Sequence, residues 1–246
     1  MTQEAMAGMT VAGHRLTPEV MDSIKQASAS TGVDFDFLVA QASAESGLRG
    51  DVRSRQHHST AAGLFQFNAQ TWLQMMRSHG AAHGQADLAQ RITRRADGHL
   101  GATDRSTENR ILDLRKDVKL SAVMAGELAK QNAAALHKAL HRQPDAADLH
   151  LAHLLGASGA IRFLRARQAD AAQSAAAVLP AAARQNPQLF YGKGAHTPST
   201  VAAVYGRIKA KIEAPLKQVA AASTAQGVRP SAGVIGAMPR KRGDRV

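Results

Sequence analysis

The chain has no cysteine among its 246 residues. Disulfides, thiolate metal sites and cysteine nucleophiles are therefore excluded. Aromatic residues make up only 4%, so the core has to be built without many large rings. Alanine supplies much of the 44% hydrophobic fraction, which predicts closely approaching helices with small contact residues. Long runs alternating with period two are lacking, so little sheet is expected. No apolar run is long enough to cross a bilayer as a helix. Residues Met1 to Met9 carry neither a basic n-region nor an apolar h-region, and no Sec signal is read there.

Positive charge is abundant. The formal net charge is +12. The stretch from Arg229 to Val246 contributes +4 of it, through Arg229, Arg240, Lys241, Arg242 and Arg245 against Asp244, which leaves +8 on the rest. Such a balance favours a polyanionic partner: nucleic acid, an anionic membrane surface or anionic cell-wall polymer. The basic residues are interleaved with acids and show little aromatic or Gly-rich patterning. A nucleic-acid-binding helical protein is therefore the weaker reading, and no nucleic acid is expected as partner.

The helical punctuation is clear. Residues 1–16 lack periodicity and read as a flexible arm. Thr17-Pro18 opens a helix that Gly32 ends. Asp34 caps a second helix running through Ser46, with Gly47 just beyond. Residues 49–66 read as polar loop, and a third helix starts near Asn68 and runs to about Ser78. A short helix is expected near 85–96, and residues 97–109 look like loop. The longest pattern runs from Asp117 to Leu140, with an apolar stripe at Leu120, Val123, Met124, Leu128 and Leu136. Helices follow over 145–155, which ends at Gly156, then over 160–171 and 174–184. Residues 187–196 read as loop, and a last helix spans about 198–222. Beyond Ser223 a basic disordered tail is expected, so the folded domain is read as 17–222. The fold class is all-α.

One carboxylate is out of place in this pattern. Leu38, Ala42 and Glu45 fall at i, i+4 and i+7, beside Phe37 and Gln41, on an otherwise largely apolar face. Glu45 is either a frayed-end surface residue or an acid pointing inward. Burial and the negative end of the helix dipole would both raise its pKa toward the range of a general acid. A second motif favours the inward reading. Gly63-Leu64-Phe65-Gln66-Phe67 begins with a residue that permits a strained turn or close approach. In an extended segment Gln66 would face away from Phe65 and Phe67, presenting an amide able to donate to and accept from a sugar. Trp72 reads either as a stacking platform or as core.

Ala44-Glu45-Ser46-Gly47, Gly63-Leu64-Phe65-Gln66-Phe67 and Thr71-Trp72 together resemble the first two motifs of soluble-type lytic transglycosylases. Later segments, Ser121 to Glu127 and Leu151-Ala152-His153-Leu154-Leu155-Gly156, resemble a proteobacterial branch of that family. The likeness covers roughly residues 17–210. It departs at the third motif, where His153 and Leu154 stand in place of the usual Tyr and Asn. The resemblance implies a lysozyme-like helical fold of the goose-lysozyme kind, acting on peptidoglycan glycan strands with no cofactor. It implies Glu45 as catalytic acid and base. Ser46, Phe65, Gln66, Phe67, His153 and Tyr205 would contact substrate, with Tyr191 the other candidate for the family's late tyrosine. The expected place is the periplasm, the cell envelope or outside the cell, as a monomer that serves a flagellar, secretion or phage-entry apparatus.

A conventional glycosidase places two carboxylates about the bond. Asp51 is the nearest second acid in sequence, on the loop, and the resemblance implies a one-acid lyase route. A hydrolytic muramidase and a non-catalytic wall-binding protein on the same fold are the alternatives. Histidine pairs invite a metal reading, but His57-His58 are adjacent, His79 and His83 flank a Gly-containing turn, and His137 and His141 sit at a helix end. Structural or solvent roles are expected for all of them, and no metal. Arg49-Gly50-Asp51 is read as loop.

Overall fold

The computed structural model describes residues 8–52, 61–191, 197–225 and 234–235. Polar caps and left-handed glycines bound its first helices. Helix α1 (Pro18–Thr31) starts with Thr17 accepting from the Val20 amide and stops at Gly32 with φ 74°. Helix α2 (Phe35–Ser46) starts with Asp34 accepting from the Phe37 amide and stops at Gly47 with φ 62°. Each cap satisfies backbone groups that a helix end otherwise leaves open. Helix α3 (Ala69–His79) is capped by Asn68. It is followed by a 3-10 turn at Gly80–His83 and by α4 (Ala86–Gln90).

The second half is longer and more helical. Helix α5 (Arg105–Asp113) leads through a 3-10 turn at Leu114–Lys116 into α6 (Val118–Leu140), and α7 (Ala146–Ala169) follows. A capping box of Asp145 and Asp148 starts α7, and Gly156, at φ 71° and ψ 162°, interrupts it where a stop was expected. Short helices α8 (Ala175–Val178), α9 (Pro180–Gln185) and α10 (Pro187–Tyr191) lead to α11 (Val201–Ala225). The major packing closes a ring: α1 on α6, α6 on α7, α7 on α11, α11 on α2, and α2 back on α1. Small residues make the close approaches, as the composition predicts. Ala122, Ala125, Ala129 and Ala133 are buried on α6. A Cβ on Gly126 would stand 2.6 Å from Thr31 Oγ1.

Several expectations are corrected. The arm before residue 17 is not wholly flexible: β1 (Thr10–Val11) pairs antiparallel with β2 (His14–Arg15). Ala12 and Gly13 both have positive φ, the geometry of a type I′ hairpin. Alanine in that turn hides the signal that Asn-Gly would have shown. Val11 and Leu16 are fully buried and anchor the hairpin. The region 85–109 holds α4, β3 (Ile92–Arg94), β4 (Leu100–Ala102) and α5, with β3 and β4 antiparallel. Residues 187–191 are helical. The C-terminal part is not all tail either: α11 reaches Ala225, and Val234–Ile235 returns to the α1–α2 junction. There Ile235 bridges Val33, and the Asp34 amide donates to the Val234 carbonyl at 2.8 Å. No described helix is long and apolar enough to cross a membrane.

Candidate functional site

Helix α2 ends against α11, and Glu45 lies in its last turn. The Glu45 side chain is only 9% exposed. Its Oε1 makes no hydrogen bond. Around that oxygen stand His150 Nδ1 at 3.6 Å and Lys211 Nζ at 3.8 Å. His150 is fully buried, and neither ring nitrogen has a hydrogen-bond partner. His153, one turn on, stacks nearly parallel to it, with 6.5 Å between ring centroids. The spacing i, i+3 puts both imidazoles on one face of α7.

The Gly63–Phe67 segment is a tight turn, not an extended strand. Gly63 has φ 79° and Gln66 φ 48°. A Cβ on Gly63 would sit 1.8 Å from the Arg115 carbonyl oxygen, so glycine is required by close approach of backbone as well as by its dihedral angle. The turn is docked on α7 because His153 Nε2–H donates to the Phe65 carbonyl at 3.0 Å. That carbonyl only accepts, which assigns the ring proton. Phe67 meets His153 edge-on at 5.9 Å and Trp72 at 5.2 Å.

The predicted contact residues divide accordingly. Phe65 and Phe67 are buried, not displayed. Gln66 donates from its amide to the carbonyls of Val52 and Gly63, at 3.0 and 2.9 Å, so its donors hold the turn and do not project outward. Ser46 donates to the Ala42 carbonyl and accepts from the Arg49 amide, which locks the end of α2. Trp72 is core: it is fully buried, and its indole N–H donates to the Ile111 carbonyl at 2.7 Å. Tyr205 is tied to the start of α7, its hydroxyl donating to Asp148 at 2.9 Å while Arg167 lies 3.9 Å above its ring. Tyr191 is half-buried at the end of α10. Asp51 is exposed.

Electrostatics correct one expectation. Burial does push the Glu45 proton affinity up, but His153, Lys211 and His150 pull it down, and their pull prevails: Glu45 lies below its ordinary pKa. Burial drives His150 down to about 4 despite the pull of Glu45. It also lowers His153, against Glu45 and the Phe65 carbonyl. Glu45 and His150 thus titrate as a coupled pair, each below its ordinary range. Near neutrality both imidazoles are uncharged. Lys211, with a 46% exposed side chain, is then the cation of the cluster. Charge on these neighbours outweighs the burial and dipole argument, which was read from α2 alone.

His150 and Lys211 were not foreseen. The i, i+3 spacing of His150 to His153 was a legible signal. Lys211 had none, because it reaches Glu45 only through the packing of α11 on α2. Among the described residues no group of three or more His, Asp or Glu side chains is arranged to hold a metal ion. His79 and His83 do converge, each pairing with Glu127 of α6, at 3.7 and 3.5 Å. His141 ends α6 with φ 55°, and His57-His58 lie outside the described residues. A cavity of about 470 Å³ between α1 and α6, lined in part by Ser23, Gln26, His83, Asp117 and Lys119, touches none of the Glu45 cluster. The cluster can hold, exchange and withdraw one proton at a largely dry carboxylate whose more exposed neighbour is the Lys211 ammonium. No protein-family model matches the chain.

Proposed function

We propose that the chain is a peptidoglycan lytic transglycosylase on a lysozyme-like fold, with Glu45 as its single acid and base. The observation that carries the reading is the buried Glu45 carboxylate with an oxygen left without a hydrogen bond. It is flanked by two imidazoles and an ammonium, with no second carboxylate among the groups that shift it. An unsatisfied buried carboxylate is costly to keep, and sites that shift titratable groups in this way are candidates for catalysis.

In this reading Glu45 gives its proton to the oxygen between N-acetylmuramic acid and N-acetylglucosamine. The bond from that oxygen to the muramyl anomeric carbon breaks, and the glucosamine leaves with a 4-hydroxyl. The muramyl N-acetyl group assists at the anomeric carbon. Glu45, now a carboxylate, takes the proton of the same sugar's 6-hydroxyl. That oxygen closes on the anomeric carbon to give the 1,6-anhydro end. His153 positions the Gly63 turn, and together with Lys211 and His150 it lowers the proton affinity of Glu45. In the free chain Glu45 is ionised near neutrality, so the reading requires it to gain a proton when substrate binds. Glycan strands are the partner. Local wall opening in the periplasm or envelope, beside a flagellar, secretion or phage-entry apparatus, is the proposed setting.

Glu45→Gln keeps size and removes the proton exchange. The variant is expected to abolish turbidity loss on purified peptidoglycan while its circular dichroism stays native. Most of the activity surviving in that variant would remove Glu45 from the reaction. Mass spectrometry of wild-type products should show anhydro ends; reducing ends would instead make the chain a hydrolytic muramidase. An intact wild-type fold with no product at all would favour wall binding without catalysis.

A further inference from the structure

We propose that Lys211 selects the substrate: its ammonium reads a free carboxylate on the sugar next to the scissile bond, so the site favours muramyl residues whose lactyl group is unsubstituted over those that carry amide-linked peptide. The inference rests on Glu45 being the glycan-cleaving acid.

Position carries the argument first. Lys211 Nζ lies 3.8 Å from Glu45 Oε1, a charge contact longer than a good hydrogen bond. Its side chain is 46% exposed where that of Glu45 is 9% exposed, so of the two charges the ammonium is the more accessible to solvent. A ligand that reaches Glu45 Oε1 comes within reach of this ammonium, 3.8 Å away. A lysine head is a compact point charge on a flexible stem, and it can turn from one carboxylate to another without backbone movement. The backbone beneath it is held on both sides: Tyr205 binds Asp148, Gln218 accepts from the Ala12 amide, and Ser223 donates to Asp36.

Charge carries it further. The groups that act on Glu45 are His150 and His153 of α7 and Lys211 of α11. Both imidazoles are kept neutral by burial near neutral pH. Lys209, the neighbouring cation on α11, pairs with Glu213 at 3.6 Å. Among the described residues, Lys211 is therefore the lysine whose partner is Glu45 itself. A ligand carboxylate competes for that ammonium. When it wins, Glu45 loses the cation that stabilises its ionised form and takes up a proton more readily. An uncharged sugar leaves Lys211 on Glu45 and the acid ionised. One contact thus couples selection of the anionic sugar to the proton that bond cleavage needs.

The test separates this role from the underlying reading. Binding is measured by NMR titration with two non-cleaved probes: the N-acetylglucosaminyl-N-acetylmuramic acid disaccharide with a free lactyl carboxylate, and the same disaccharide with that group as a primary amide. The proteins are Glu45→Gln and Glu45→Gln with Lys211→Met. In Glu45→Gln the carboxylate form should bind roughly threefold to tenfold more tightly than the amide, the range of a partly exposed ion pair. With Lys211→Met added, the two should bind alike. Equal binding in the first protein, or a preference kept in the second, overturns the role of Lys211 but leaves glycan binding standing. If neither disaccharide binds either folded protein, the glycan reading falls and the inference falls with it. A second measurement needs no glycan. Lys211→Met in the otherwise unaltered chain should raise the pH at which the Glu45 side-chain carbon titrates by ¹³C NMR, and an unmoved titration would break the proposed coupling.

Discussion

Replacing Gly63 by alanine isolates the contact that seats the aromatic turn against the 3-10 turn at Leu114–Lys116. Two costs arise. The first is conformational: φ is 79°, and a Cβ there costs about 1–2 kcal/mol. The second is steric. The new methyl would stand 1.8 Å from the Arg115 carbonyl oxygen and 2.7 Å from its carbon. Those atoms belong to the 3-10 turn between α5 and α6, so they yield only if backbone moves by more than 1 Å, roughly. Overpacking of this kind adds about 1–3 kcal/mol. The sum, roughly 2–5 kcal/mol, is a large part of the 5–15 kcal/mol that typically holds a domain. For a chain of this size it lowers the melting temperature by roughly 10 °C. Gly84 is the control. Its φ is 76°, but nothing lies within 4 Å of its virtual Cβ, so Gly84→Ala bears the conformational cost alone, partly offset by reduced freedom of the unfolded chain. Urea and thermal unfolding of both variants give the comparison. Gly63→Ala should be the less stable by at least about 1 kcal/mol. Equal losses would refute the claim that close approach to Arg115, and not dihedral strain alone, requires glycine at 63.

Acidification tests the buried imidazole. His150 titrates near 4 in the fold and near 6.5 when unfolded, so between those values the unfolded chain binds the extra proton. Stability from this group is complete above about pH 6.5 and is lost as pH falls toward 4, by an amount on the order of 3 kcal/mol. Asp36, raised by burial, acts with the opposite sign at the acid end, so the contrast with a variant matters. His150→Phe should flatten the stability profile over pH 4 to 6.5, and an unchanged slope would place the lost protons elsewhere. Tyr205→Phe removes the hydroxyl that Asp148 accepts from. It should cost about 1–2 kcal/mol in unfolding and leave disaccharide affinity within about twofold. A selective loss of affinity with stability intact would return Tyr205 to the substrate.

Much of the fold was written locally. Thr17, Asp34, Asn68 and Gly32 act within a turn of themselves, so caps and stops read correctly from residue type. The break at Gly156 has the same origin. The hairpin at Thr10–Arg15 was missed because Ala12 stands before Gly13 in its turn, where Asn or Asp would have signalled it. The β3–β4 ribbon was missed although Asp97-Gly98 marks its turn, because its strands are only three residues long and show no alternation. Val11 and Leu16 reveal an anchor only once α2 and α11 are in place. The Gly63 segment shows both sides. Its glycine was legible as a special position, but the alternation of Phe65 and Phe67 about Gln66 suggested an extended segment where two left-handed residues make a turn.

Residue type and spacing alone determined the helical class, the alanine-mediated packing and the inward acid on α2. These follow from periodicity and capping, which operate over a few residues. Tertiary structure alone decided the company that acid keeps. His150 and His153 come from α7, and Lys211 from α11, so the proton affinity of Glu45 depends on charges brought in by packing. Burial, read from one helix, predicts a rise; three cations or potential cations assembled from two other helices produce a fall. Electrostatic energy depends on distance in space, and His150 and Lys211 come within 3.6 and 3.8 Å of Glu45 only when the ring of helices closes.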